Sequence, residues 1–187
     1  MTTHVASPYP GQTPTRRQWL TGAAFTFGTL TVSMPRASAD TPDGVSRTAE
    51  SIHQETIFKA SPKRIYDALL DSRQFQKIEL LGQAMKPADL EAKPAKISRE
   101  PGGSFSIFGD YIIGRQIELI PDKRIVQAWR ELSWDPGVYS LVKFELLPEG
   151  TGTKLVFDHT GFPIGAADHL ASGWKSHYWE PLDKLLT

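Results

Sequence analysis

The spacing of apolar positions changes along the chain and divides it into predicted elements. A β-rich run predicts a first strand at 52–59. Ser61 and Pro62 then supply an N-cap and a favoured first helical residue, and the apolar stripe that follows predicts a helix. Asp71 breaks this helix, and a second short helix is predicted after it. Residues 82–94 contain two prolines and predict a loop with room for a helical turn.

From Ala95 onward the apolar positions alternate with polar ones, and turn-forming residues such as Gly109-Asp110 separate short apolar runs. This pattern predicts strands at 96–100, 104–108, 112–120, 124–132, 138–147 and 153–159. After Pro163 the apolar residues recur at steps of three or four and predict one long terminal helix. Pro181 lies inside that helix and predicts a bend, because it cannot donate a hydrogen bond to the carbonyl of His177.

The order of these elements predicts an α+β fold over residues 51–187. About seven antiparallel strands form a curved sheet that wraps around the C-terminal helix, and two short helices follow the first strand. Such a sheet needs its apolar face covered, and only the last helix is predicted to be long enough to cover it.

Composition and charge exclude several kinds of chemistry. The 187 residues include no cysteine, which excludes disulfide bonds, thiolate catalysis and iron–sulfur ligation. The 21 basic residues balance 21 acidic ones, so there is no basic footprint for nucleic acid. No metal site is predicted either, because His169 and His177 stand eight apart on the last helix and form no i,i+4 pair of ligands. No cofactor is predicted.

The N-terminal residues 1–39 predict a cleaved signal peptide. They contain three arginines and no acidic residue, and Arg16-Arg17 precede an uncharged run that ends near Ala39. The segment resembles a twin-arginine export signal, which implies the export machinery as a partner and a periplasmic or secreted location. The uncharged run is too short and polar for a stable membrane anchor after cleavage. Residues 40–50 would form a linker.

Several motifs of the remaining chain resemble one family in their order and spacing. They are Gly102-Gly103-Ser104-Phe105, Ile125-Val126-Gln127-Ala128-Trp129-Arg130, Val142-Lys143-Phe144-Glu145-Leu146, His159-Thr160-Gly161-Phe162-Pro163 and Tyr178-Trp179-Glu180-Pro181-Leu182. The family is that of activator of heat-shock-protein-90 ATPase homologues, C-terminal-domain type, in the START-like (SRPBCC, helix-grip) superfamily. The resemblance implies a hydrophobic cavity between the sheet and the last helix.

Alternation along the strands selects the side chains that would face this cavity. In 138–147 and 153–159 the charged positions predict that Phe144, Phe157 and His159 point inward. In 112–120 the same argument sends Gln116 outward and Arg115 inward, whereas the orientation of Trp129 is ambiguous. The predicted ligand-binding residues are Phe105, Ile107, Tyr111, Arg115, Trp129, Phe144, Phe157, His159, Trp174, His177 and Tyr178.

Three functions are compatible with this pattern. The first is binding of a small hydrophobic or aromatic ligand, because no complete catalytic constellation is visible. The second is a lyase, cyclase or hydrolase with His159 as the base and Arg115 or Tyr111 stabilising charge. The third is a co-chaperone-like interaction module. Arg115 could clamp an anionic ligand or reach water at the sheet edge, and His159 could act on a ligand or only anchor the next loop.

Overall fold

The computed structural model describes residues 49–187. The signal peptide predicted at 1–39 and the linker residues 40–48 lie outside this range. Ala49 and Glu50, predicted to end the linker, instead begin the first strand. Among the helices of the described part, none is long and apolar enough to cross a membrane.

The described residues form seven strands and five α-helices in the predicted order. Their bounds are β1 Ala49–Phe58, α1 Pro62–Leu70, α2 Ser72–Gly82, α3 Pro87–Ala92, β2 Lys96–Ile97, β3 Ser104–Ile107, β4 Ile112–Ile120, β5 Arg124–Glu131, β6 Ser140–Glu149, β7 Gly152–Pro163, α4 Ala167–Trp174 and α5 Glu180–Leu186. A π-helical segment, Lys175–Trp179, joins α4 to α5, and the three together are called the C-terminal helix.

The strands form one antiparallel sheet in the order β1-β7-β6-β5-β4-β3-β2, so the predicted fold class is confirmed. The first strand pairs with the last, which closes the chain on itself and leaves β1 and the two-residue β2 at the sheet edges. β1 is also bonded to the C-terminal helix, since Trp179 Nε1 donates to Gln54 Oε1 at 2.6 Å and Gln54 Nε2 donates to the Ala171 carbonyl at 3.0 Å.

The short helices begin where side chains satisfy their first backbone donors. Ser61 Oγ accepts the Arg64 N–H at the start of α1. Asp71 both ends α1 and caps α2, because its carboxylate accepts the N–H groups of Arg73 and Gln74 at 3.1 and 2.9 Å. Helix α3 supplies the helical turn within the predicted loop, and it starts with Pro87 in its first turn.

The predicted orientation of β4 is wrong by one residue. Arg115 is exposed and its Nη1 donates to the Gly102 carbonyl at 3.0 Å, whereas Gln116 is completely buried. Ile117, predicted to point inward, is 53% exposed. Arg115 therefore lies at the sheet surface, outside the cavity, as in the second of the two interpretations above.

This error arises at two inward-facing residues, Gly114 and Gln116, because their residue types do not indicate burial. Gly114 faces inward but has no side chain to mark it, and the Phe105 ring occupies the space where a Cβ would stand. Gln116 is a polar core residue whose amide is fully used: it donates to the Ser98 carbonyl at 3.1 Å and accepts from Gln127 Nε2 at 3.1 Å. A register shift after Gln116 then returns Leu119 to partial contact with the core.

The C-terminal helix is irregular just before Pro181, the residue at which the sequence predicts a bend. The π-helical segment widens the helix just before the proline, and the Glu180 N–H bonds to the Lys175 carbonyl, five residues back. The freed His177 carbonyl lies beside Gly82 of α2, so the proline accommodates the packing of these two helices.

A glycine substitution tests the close packing of β3 and β5 against Gly114 of β4. Gly114→Ala should lower the free energy of unfolding by about 1–3 kcal/mol, because the new methyl group meets the Ala128 carbonyl and the Phe105 ring. Gly173→Ala is the matched control: no atom lies within 4 Å of its added Cβ, and alanine favours the helix. Urea unfolding measures both, and equal stabilities of the two variants would contradict the predicted crowding.

Candidate ligand cavity

A cavity of about 300 Å³ lies between the sheet and the C-terminal helix. Its walls come from the α2–α3 loop, the β3–β4 turn, β4, β5 and the C-terminal helix. The lining residues are Ala84, Met85, Phe108, Tyr111, Ile112, Trp129, Glu131, His169, Leu170, Gly173, Trp174, His177 and Tyr178. The lining is therefore mainly apolar and aromatic, with few polar groups, which is typical of small-molecule sites.

Three rings form the aromatic wall of this cavity. Trp129 projects from β5, and Trp174 and Tyr178 project from successive turns of the C-terminal helix. The Trp174 and Tyr178 ring centroids are 4.1 Å apart, and those of Trp129 and Trp174 are 5.7 Å apart. All three residues are at least 95% buried, so their positions are set by packing against the core behind the cavity.

A chain of buried hydrogen bonds runs from the Trp174 ring to the backbone of Trp129. The Trp174 indole can only donate, so its Nε1–H, 3.1 Å from His159 Nδ1, assigns that nitrogen as an acceptor. His159 Nε2 then carries the proton and donates to Ser140 Oγ at 2.7 Å. The Ser140 hydroxyl in turn donates to the Trp129 carbonyl at 3.0 Å. The neutral imidazole thus connects the helix to three strands.

This arrangement removes the support for His159 as a general base. Its two ring nitrogens are already engaged, it is completely buried, and it is absent from the cavity lining. Burial lowers the pKa of the imidazole to about 3, since a charged ring would lose hydration and its acceptor bond from Trp174. His159 is a neutral structural residue behind the aromatic wall.

Glu131 is a lining carboxylate that strand alternation could have revealed. It shares the inward face of β5 with Trp129 and is 6% exposed. Its Oε2 accepts hydrogen bonds from Tyr111 Oη and Ser133 Oγ, both at 3.2 Å. Its Oε1 lies 3.5 Å from His169 Nε2 on the exposed side of the helix. A carboxylate thus reaches the cavity with one oxygen only weakly engaged.

A second carboxyl, Glu79 of α2, lies behind the β3–β4 turn. Its Oε1 accepts the backbone N–H of Phe108, while its Oε2 has no hydrogen-bond partner. Phe108 has a φ of 52°, and φ is also positive at the next two residues of the turn. Glu79 therefore anchors a backbone conformation that is unfavourable for Phe108 beside the cavity. Burial raises the pKa of Glu79 to about 7 despite the Phe108 hydrogen bond.

Two further polar atoms beside the cavity are buried without a hydrogen-bond partner: Trp129 Nε1 and Tyr178 Oη. The indole N–H is directed towards the phenol oxygen without reaching hydrogen-bond geometry. Burial raises the pKa of Tyr178 well above its usual range, and the nearby charges of Glu79 and Glu131 add to the rise. The Tyr178 hydroxyl is therefore neutral.

The structure brings together only part of the predicted site. Five of the predicted residues line the cavity: Tyr111, Trp129, Trp174, His177 and Tyr178. Five others are buried around it without lining it: Phe105, Ile107, Phe144, Phe157 and His159. Arg115 lies on the sheet surface. The lining residues Glu131, Phe108 and Met85 were missed. Glu131 continues the alternation of Trp129 along β5, whereas nothing in the immediate sequence of Phe108 or Met85 distinguishes them from ordinary turn or loop residues.

Comparison with known proteins identifies relatives of residues 59–187, which match the profile of the family described as "Activator of Hsp90 ATPase homolog 1-like protein". The "Activator of 90 kDa heat shock protein ATPase homolog 1" of Mus musculus is 28% identical over 79% of this chain, and that of Homo sapiens is 27% identical over 78%. In both cases the match covers 40% of the relative, so this chain spans less than half of the length of these proteins.

Solved structures share the fold at low sequence identity. An HSP90 activator from Plasmodium falciparum matches 74% of this chain and 96% of its own with a TM-score of 0.61 and 21% identity. CalU16 from Micromonospora echinospora matches 74% of this chain and 77% of its own with a TM-score of 0.59 and 19% identity.

The two buried titratable groups give the stability of the protein opposite dependences on pH. Between pH 6.5 and about 3, unfolded His159 binds a proton that the folded imidazole does not, so stability falls as pH falls. Between pH about 7 and 4.5, folded Glu79 binds a proton that the unfolded carboxyl does not, so stability rises as pH falls. Between pH 6.5 and 4.5 the two effects oppose each other.

Relative to the unmodified protein, Glu79→Gln should make the free energy of unfolding fall more steeply from pH 6.5 to 5.0, by up to about 1.4 kcal/mol per pH unit. His159 then titrates unopposed. His159→Gln should change the slope in the other direction. Urea unfolding at the two pH values measures these slopes, with Glu91→Gln on the exposed face of α3 as control. A Glu79→Gln slope equal to that of the control would contradict a protonated Glu79.

Proposed function

The chain belongs to the family of Activator of Hsp90 ATPase homolog 1-like proteins, and on this premise we propose that it binds a small hydrophobic or aromatic molecule between its sheet and its C-terminal helix. The observation that carries this proposal is the cavity of about 300 Å³ beside Trp129, Trp174 and Tyr178. Cavities of about 150 Å³ with apolar walls hold benzene, so this volume suits a ligand of two fused or linked rings.

The walls of the cavity are already held in place, so a ligand can bind without a rearrangement of the protein. The Trp174 indole is fixed by its hydrogen bond to His159, the backbones of Trp129 and Phe108 are fixed by Ser140 and Glu79, and the Trp129 ring packs against Trp174. A preformed aromatic wall loses little conformational entropy when a ligand enters, which favours affinity. The enzyme hypothesis based on His159 has no comparable support, because that ring lies behind the wall with both nitrogens engaged.

A second candidate function is stimulation of a 90 kDa heat shock protein ATPase, which the names of the mouse and human relatives suggest. The outer face of the sheet offers such a partner exposed apolar side chains, but charged side chains separate them. Exposed Ile57 and Leu147 flank Lys154 on neighbouring strands, so a charge separates these two apolar side chains. Ion pairs such as Lys143 with Asp158 at 2.9 Å cover more of this face. Stimulated ATP hydrolysis by purified heat shock protein, absent with heat-unfolded chain, would establish this function.

We also propose that the protein is exported through the twin-arginine pathway to the periplasm or the outside of the cell. This proposal rests on the sequence alone: the Arg16-Arg17 pair, the uncharged run after it and the small residues that end at Ala39. A folded protein exported in this way could carry a cavity ligand with it.

A cavity-filling substitution tests the binding site. Gly173 lines the cavity and no atom lies within 4 Å of its added Cβ, so Gly173→Leu should fill the cavity while the core stays intact. Binding of naphthalene, followed by quenching of tryptophan fluorescence, should weaken at least about tenfold. Ser172→Leu, exposed one residue earlier on the same helix, is the matched control and should bind as the unmodified protein does. Absence of saturable binding to the unmodified protein would refute the proposed function.

Export is tested by conservative changes in the arginine pair. Replacing Arg16 and Arg17 together by lysine should leave the precursor inside the cell, whereas Arg36→Lys should be exported normally. Cell fractionation followed by intact mass measurement gives the location and the first residue, which we expect to be Asp40. An exported protein that retains Met1 would contradict the cleavage site.

A further inference from the structure

The charges around the cavity have one sign. Among the lining residues that the structure describes, Glu131 is the one carboxylate, and none is lysine or arginine. Glu79 lies just behind Phe108, close enough for its charge to act on the Tyr178 hydroxyl together with that of Glu131. Neither carboxyl forms an ion pair with a lysine or arginine in the described part of the chain.

The nearest candidate for neutralising Glu131 is directed elsewhere. Arg130, its neighbour in β5, donates from Nε to the Glu131 backbone carbonyl at 3.3 Å and from Nη2 to the Trp134 carbonyl at 2.8 Å. Its guanidinium lies 5.8 Å from the centre of the Tyr139 ring. Among the described residues, the Glu131 carboxylate therefore has only the hydroxyl donors of Tyr111 and Ser133 and the exposed His169 beside it.

The two oxygens of this carboxylate are used unequally. Oε2 accepts from Tyr111 and Ser133, which fixes the orientation of the group. Oε1 is 3.5 Å from His169 Nε2, beyond the usual range for an N–H···O hydrogen bond. An oriented carboxylate with one weakly engaged oxygen at an aromatic wall is the arrangement that recognises an ammonium group, since aromatic rings also attract cations.

We propose that the cavity selects ligands that carry a protonated amine on an aromatic or apolar body, with Glu131 Oε1 as the partner of the ammonium group. The body lies against Trp129, Trp174 and Tyr178, and the ammonium lies at the end of the cavity formed by Tyr111, Glu131 and His169. This inference rests on the proposed binding function and names the chemical class of its ligand. Anionic ligands are disfavoured by the same charge.

Three probes with one naphthyl body and different charge test this selectivity: 2-(1-naphthyl)ethylamine, 2-(1-naphthyl)ethanol and 1-naphthylacetate. Calorimetric titration of the unmodified protein at pH 8, where free imidazole is uncharged, should give the tightest binding for the amine, by about tenfold over the alcohol. The acetate should bind most weakly. This ranking needs no variant, so it decides the proposal even where a substitution prevents folding.

Glu131→Gln tests the assigned residue, because glutamine keeps the size of the side chain and its acceptor for Tyr111 and Ser133. Binding of the amine should weaken about tenfold, while binding of the alcohol should change less than about twofold. Glu149→Gln is the matched control for net charge. It lies nine residues along β6 from Ser140, about 30 Å away at about 3.3 Å per residue, and should bind all probes as the unmodified protein does.

The possible failures are distinguishable. Equal binding of the amine and the alcohol would overturn the amine selectivity and leave the hydrophobic cavity as proposed. An equal loss of amine binding in Glu131→Gln and Glu149→Gln would show that net charge, not Glu131, is responsible. No binding of any probe would refute the cavity function itself, and the amine inference with it.

Discussion

The neutral imidazole of His159 is the interaction on which the cavity depends. It accepts from the Trp174 indole and donates to Ser140, which donates to the Trp129 carbonyl, so one buried chain connects β5, β6, β7 and the C-terminal helix. Each member is satisfied only in this direction, because an indole cannot accept a hydrogen bond. The Trp174 indole is therefore held by the imidazole, and the chain ends on the backbone of β5 at Trp129, whose ring is positioned by packing against Trp174.

The polar groups around the cavity have two separate roles: some hold the residues of the wall, and one faces the space where a ligand would bind. His159 and Glu79 lie behind the wall and fix Trp174 and the backbone of Phe108, and burial keeps the first uncharged and raises the pKa of the second to about 7. Among the described residues that line the cavity, Glu131 is the one that presents a carboxylate to it, and hydroxyl donors orient that group. The buried hydrogen-bond chain through His159 and the oriented carboxylate of Glu131 thus lie within one small core without forming an ion pair with each other.

The sequence predicted the strands and the β6 and β7 faces because charged residues alternate there with large apolar ones. It failed on β4, where the inward positions carry Gly114, which has no side chain, and Gln116, a buried amide whose partners come from elsewhere in the chain. Glu131 was within reach, since it continues the alternation of Trp129. The π-helical segment was not, because its hydrogen bonds depend on packing of the C-terminal helix against α2.

The position of β1 at the edge of the sheet has a consequence for self-association. Its exposed positions include His53 and Glu55, and charged side chains on an edge strand discourage pairing with another chain. The next strand, β7, carries Leu155-Val156-Phe157 in a twelve-residue run. A protein clipped after β1 would expose the backbone of that run as a new edge. The first strand therefore covers the edge of β7, and proteolysis near residue 58 followed by loss of β1 would leave that edge open for strand addition.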